Sequence, residues 1–183
     1  DKFKVGDVMA SKSKRARMAP ERNLSKSFLY CTIAIFVIKL GIIFRIEGMN
    51  AGSVGRVYFV DGALLGADGE NYLVGYNALL SDGIFSPESI LNYWPAGYPI
   101  LILFLSLLGK SWALTTLSIV QSLIFSYAIY FFAAELSRTK LKKFSYLALL
   151  LILFNPTLSL SSIAVGYESL TASGLLLCVG LVI

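Results

Sequence analysis

Three acidic side chains carry most of the chemistry open to this chain: Asp68 and Glu70, which begin a polar stretch, and Glu168, which stands between apolar runs. The 183 residues contain no histidine, which removes the commonest general base and metal ligand. Acid, base or metal chemistry must therefore rest on carboxylates, which suit activation of an acceptor hydroxyl or amine, or binding of a hard divalent cation. A cation of that kind, Mg or Mn, would take Asp68 and Glu168 as ligands; the sequence leaves its use open. Asp68 also stands where a helix N-cap belongs, a purely structural role that contributes on the order of 1 kcal/mol. An acid flanked by apolar spans, as Glu168 is, is costly to keep and points to function.

The surroundings of these acids are those of a membrane protein. Hydrophobic residues make up 56% of the chain and the mean hydropathy is +0.72, above what a soluble domain with a mixed surface carries. Cys31 and Cys178 fall inside apolar segments, where a thiol behaves as a small hydrophobe, and imply neither a disulfide framework nor a metal site. The net charge of +5 is segregated: eight Lys/Arg lie in residues 1–26 and four in 137–143, whereas 47–96 holds six acids against Arg56 alone. This pattern reads as topology rather than nucleic-acid binding, with the basic segments cytoplasmic and the acidic loop outside. The tail can also touch anionic lipid headgroups.

Residues 1–27 then form a basic cytoplasmic tail and 28–46 a first span of about 19 residues, enough to cross the hydrocarbon layer. Lys39 and Arg45 interrupt its far end, which argues against a cleaved signal peptide. They admit two readings: Lys39 snorkels to the interface, or both hold a lipid-linked phosphate near the outer leaflet. An outer loop follows over 47–111, with a short β-like run at Val57–Val60. The spacing of Tyr72, Tyr76, Leu79 and Leu80 predicts an interfacial amphipathic helix over Gly69–Leu80, stopped by Gly83. Ile100–Leu108 is too short to span and is read as re-entrant or juxtamembrane, which keeps the basic link 137–143 cytoplasmic. The second span is 112–136 and the third 144–160, interrupted at Asn155-Pro156. A second outer loop occupies 161–170, and 171–183 begins a fourth span that runs off the sequence, as in the N-terminal part of a longer protein. The expected fold class is an all-α polytopic membrane protein. Tyr93, Trp94 and Tyr98 read as an interfacial aromatic belt or as a sugar-stacking platform.

The order of these motifs resembles a known family. A first span, then D-x-x-x-Y-x-x-x-A-x-x-L with Asp68, Tyr72 and Leu79 in register, G-x-F-S at Gly83–Ser86, and Y-W-P-A-G-Y-P at Tyr93–Pro99, looks like the first outer loop of the GT-C superfamily of polytopic glycosyltransferases. Asn155, Pro156, Ser162 and Glu168 are similar to the stretch leading into that family's second outer loop. The resemblance, covering about Phe28 to Ile183, implies the N-terminal part of a GT-C transmembrane module and an inverting transfer of a sugar from a polyprenyl-phosphate donor to an acceptor on the non-cytoplasmic face. Its partners would be the lipid-linked donor and membrane lipids, with the acceptor undefined. Asp68 would be the catalytic acid/base and Glu168 the second-loop acid that orients acceptor or metal. Tyr72, Trp94, Tyr98, Lys39 and Arg45 are the candidate substrate contacts. The sequence departs from the pattern where Tyr76 occupies the alanine position, with Ala78 two residues later, and where Gly69 separates Asp68 from Glu70, which leaves Glu70 a rival. A different class also suits the pattern: a non-catalytic lipid or solute transporter whose outer acids bind a cation or headgroup.

Overall fold

The computed structural model describes residues 26–46, 52–54, 57–60, 63–65, 68–83 and 97–183. Its described part is mostly helical. The first helix, α1, runs Lys26–Ile46, and its buried positions Phe28, Thr32, Lys39, Ile43 and Ile46 recur with the helical period along one stripe. The opposite side leaves Leu29, Ile33, Val37, Ile38, Ile42 and Phe44 exposed. A chain of short strands follows: β1 (Gly52–Val54), β2 (Val57–Val60) and β3 (Ala63–Leu65) form an antiparallel meander. A fourth strand, β4 (Ala164–Val165), joins in parallel beside β3, with Leu64 opposite Ala164 and Leu65 opposite Val165.

The mostly helical character expected from the sequence holds among the described residues, with this small four-stranded sheet added to it. Val57–Val60 is the one strand whose composition was visible in the sequence. The parallel addition of β4 depends on a partner about a hundred residues away, which local pattern cannot report.

Helix α2 covers Gly69–Ser81, one residue beyond the predicted end, and Gly83 follows with φ +78, a conformation that suits glycine. Its buried face is Gly69, Tyr72, Gly75 and Leu79, while Leu80 is exposed. Helix α3, Gly97–Ser106, has ten residues, about 15 Å at 1.5 Å per residue and half of a hydrocarbon core. It turns at Gly109, whose φ of +145 only glycine adopts readily, through a 3₁₀ turn at Lys110–Trp112 into α4, Ala113–Leu136. Among the described residues, two helical stretches are long and apolar enough to cross a membrane: Lys26–Ile46 and Lys110–Leu136.

The segment read as a third span is interrupted at Asn155-Pro156. It divides into α5 (Ser145–Leu153) and α6 (Pro156–Ser161). Asn155 accounts for the break: its side chain accepts from the Leu158 amide at 3.0 Å, and Pro156 takes the first helical position, where its missing donor costs nothing. Helix α7 begins at Glu168, three residues earlier than predicted, and runs to Val182. It packs along α4, where Gly180 permits close approach: a Cβ there would stand 2.9 Å from the Phe131 ring. One core cluster gathers α1, α4 and α5 around Phe28, Phe125, Ile129 and Leu149. A second gathers α2, α3, α4 and the sheet around Tyr72, Tyr98, Ile102 and Val165.

Candidate functional site

The parallel pair β3–β4 sets the geometry of the candidate site. Leu65 pairs with Val165, and three residues beyond each stands an acid, Asp68 after β3 and Glu168 after β4. Neighbouring strands lie about 4.8 Å apart, so equal offsets from one register pair deliver both acids to the same edge. Each acid then opens a helix, α2 or α7. Close passage is possible because residue 69 is glycine: a Cβ there would stand 2.9 Å from the Val165 carbonyl oxygen.

One turn into α2 from Asp68 stands Tyr72, fully buried. Its ring meets Tyr98 at 4.7 Å between centroids and Tyr167 edge-on at 6.0 Å. Burial raises the Tyr72 phenol above its ordinary pKa, and the charges of Tyr167, Asp68 and Glu168 push it further in the same direction. Its hydroxyl therefore stays protonated at neutral pH. Together with Gly97, Leu101 and Leu170, the three tyrosines line a cavity of about 260 Å³, near the lower end of small-molecule sites.

Asp68 occupies the N-cap position, yet its side chain makes no capping hydrogen bond. The purely structural role considered for it thus lacks its defining contact, and the half-buried carboxylate is available to a ligand. Glu168 is likewise half-buried, its carboxylate folded over Gly166. Glu70 lies in the same first turn as Asp68 but is exposed. Asp68 and Glu168 are the hard oxygen donors that Mg or Mn takes. Among the described residues no group of three acidic, His or Cys side chains forms around them, so a cation here would complete its shell from hydroxyl, carbonyl or water oxygens.

Tyr98 is not part of an interfacial belt. It is buried, and its hydroxyl accepts from the Gly166 amide at 2.8 Å. Burial pushes its phenol well up, against the opposing pull of the Gly166 amide and the Gln121 side chain. Lys39 does not snorkel either: it lies on the buried stripe of α1 at 3% exposure, donates to Ser162 Oγ at 2.6 Å and sits 4.5 Å from the Phe125 ring centroid. Six residues on, Arg45 points elsewhere on the helix and is exposed, so the two cations share no site. Trp94, Tyr93 and the motif Gly83–Ser86 beyond Gly83 fall outside the described residues.

Two features escaped sequence reasoning. Tyr167 adjoins Glu168 and faces Tyr72, a neighbour that only the fold supplies. On α4, Ser118, Gln121 and Ser122 donate to the carbonyls of Ile163, Gly166 and Ser162 at 2.9, 2.8 and 2.9 Å. Their i, i+3, i+4 spacing inside an apolar span was the available signal.

The comparisons with known proteins leave this geometry to stand on its own. No family model matches the chain, no curated protein matches it, and no solved structure matches its fold.

Proposed function

We propose that the chain is part of a GT-C-type glycosyltransferase that moves a sugar from a polyprenyl-phosphate donor to an acceptor at the non-cytoplasmic membrane face. The observation that carries this reading is that Asp68 and Glu168 each follow the register pair Leu65–Val165 by three residues, at one end of the sheet. In such a transfer the acceptor hydroxyl or amine attacks the anomeric carbon from the face opposite the phosphate. The new bond forms there with inversion, the carbon–oxygen bond to the phosphate breaks, and polyprenyl phosphate leaves with the electron pair. Asp68 takes the acceptor proton. Glu168 orients the acceptor, and the tyrosine-lined cavity offers apolar ring faces to the sugar.

A membrane setting accords with the exposed apolar side of α1 and with two helices of spanning length. The multi-pass arrangement, with 137–143 cytoplasmic and the acid-bearing loops outside, rests on charge segregation. Single cysteines placed at Thr139 and Ser86, in a chain with Cys31 and Cys178 replaced by Ser, test it with a membrane-impermeant thiol reagent. Ser86 is expected to label from the non-cytoplasmic side and Thr139 only after permeabilisation; the reverse labelling overturns the topology.

A second reading has one observation in its favour: Lys39, buried among helices with Ser162 as its hydrogen-bond partner, is the kind of intramembrane cation that transporters use. Reconstituted protein supplied with radiolabelled polyprenyl-phosphate sugars separates the two. Sugar transfer or donor hydrolysis is expected; uptake into vesicles without covalent change would establish the transporter instead.

A further inference from the structure

The peptide at residue 166 is held on both sides. Its N–H donates to the Tyr98 hydroxyl of α3 at 2.8 Å, and its carbonyl accepts from Gln121 Nε2 of α4 at 2.8 Å. The two clamping groups are buried, at 6% and 0% exposure. Such paired hydrogen bonds in a dry interior fix a peptide plane more firmly than either alone. Two residues later stands Glu168. All three heavy atoms nearest to a hypothetical Cβ at residue 166 belong to the Glu168 carboxyl group, and its Oε2 would collide with that Cβ. The missing side chain is therefore what lets the carboxylate lie over the clamped peptide.

We propose that the Gly166 peptide is a cradle: Tyr98 and Gln121 are positioning residues that lock it, and the bare Cα at Gly166 leaves the room in which the Glu168 carboxylate lies over that peptide. Glycine is required at 166 by space rather than by backbone angle, because the obstruction comes from the Glu168 side chain and not from the backbone. The geometry of the cradle is independent of the transferase reading; its role in orienting an acceptor rests on that reading.

Gly166→Ala is the direct test, since the only neighbour it displaces is the flexible end of Glu168. Tyr72 reports the displacement without any substrate, because its ring meets Tyr98, which holds the Gly166 amide, and the negative charge of Glu168 opposes its ionisation. In the full chain with ¹³Cζ-labelled tyrosine, the Tyr72 titration is expected to move down in Gly166→Ala, in the direction given by Glu168→Gln, while the thermal midpoint stays within a degree or two. Tyr98→Phe, which keeps the ring but removes the acceptor of the Gly166 amide, should move it the same way. If Gly166→Ala fails to fold, Tyr98→Phe decides; a Tyr72 titration unchanged from the native chain in the folded variants overturns the cradle. Where transfer is measured, Gly166→Ala should lower kcat about 10-fold or more with KM for the donor little changed. A native chain without transfer activity would sink the transferase reading and leave the Tyr72 result standing.

Discussion

Asp68→Asn is expected to abolish sugar transfer while leaving the protein folded. Loss of a general acid/base typically costs about 100- to 10,000-fold, so turnover should fall to that extent or below detection. Stability should hold for a specific reason. The Asp68 side chain makes no capping hydrogen bond that the substitution would remove, and asparagine is as good at an N-cap as aspartate. Glu70→Gln is the companion variant, because Glu70 shares the first turn of α2 yet is exposed; it should keep transfer within a few-fold of the native rate. Donor turnover in purified, reconstituted protein measures both. A Glu70 variant that is dead beside an active Asp68→Asn would exchange the two roles.

Gly69→Ala should destabilise the fold, although alanine is normally the better helix residue by about 0.5–1 kcal/mol. The new methyl would meet the Val165 carbonyl oxygen at 2.9 Å and two Leu65 side-chain carbons at 3.2 Å. The carbonyl belongs to a paired strand and cannot rotate aside, so α2 must move off the sheet. Overpacking of this kind costs about 1–3 kcal/mol, which outweighs the helix preference. A net loss on the order of 1–2 kcal/mol corresponds to a thermal midpoint lowered by about 2–8 °C for a chain of this size. Gly174→Ala supplies the contrast: nothing lies within 4 Å of its hypothetical Cβ on α7, so it should be neutral or slightly stabilising. Circular-dichroism melts of the three proteins in one detergent measure the difference, and equal midpoints for Gly69→Ala and the native chain would show that α2 and β4 are not in tight contact.

Some of this was written locally. The helices expected at residues 28–46 and 112–136 announce themselves by long apolar runs, and the observed helices Lys26–Ile46 and Lys110–Leu136 each begin two residues earlier. Helix α2 followed from its periodicity and Gly83, and the break at Asn155-Pro156 from proline's missing donor. Hydropathy misjudged Lys39, because a scale scores the residue and not the direction it faces. Its place on the stripe of Phe28, Thr32, Ile43 and Ile46 turned it inward toward Ser162. Tyr98 was misjudged for the same reason: aromatics near an interface usually sit in it, but this hydroxyl is held by the Gly166 amide.

The sequence by itself determined which residues are acidic in an apolar setting, that no histidine accompanies them, and where long helices run, since each of these depends on a residue and its near neighbours. Only the tertiary structure decided that the segments carrying Asp68 and Glu168 meet at one end of the sheet. Their meeting depends on β3 pairing with β4 across about a hundred residues, on a glycine that lets α2 approach Val165, and on α4 donors that grip the chain from Ser162 to Gly166. These are long-range contacts, selected by packing and hydrogen-bond satisfaction over the whole chain, and no window of neighbouring residues contains them.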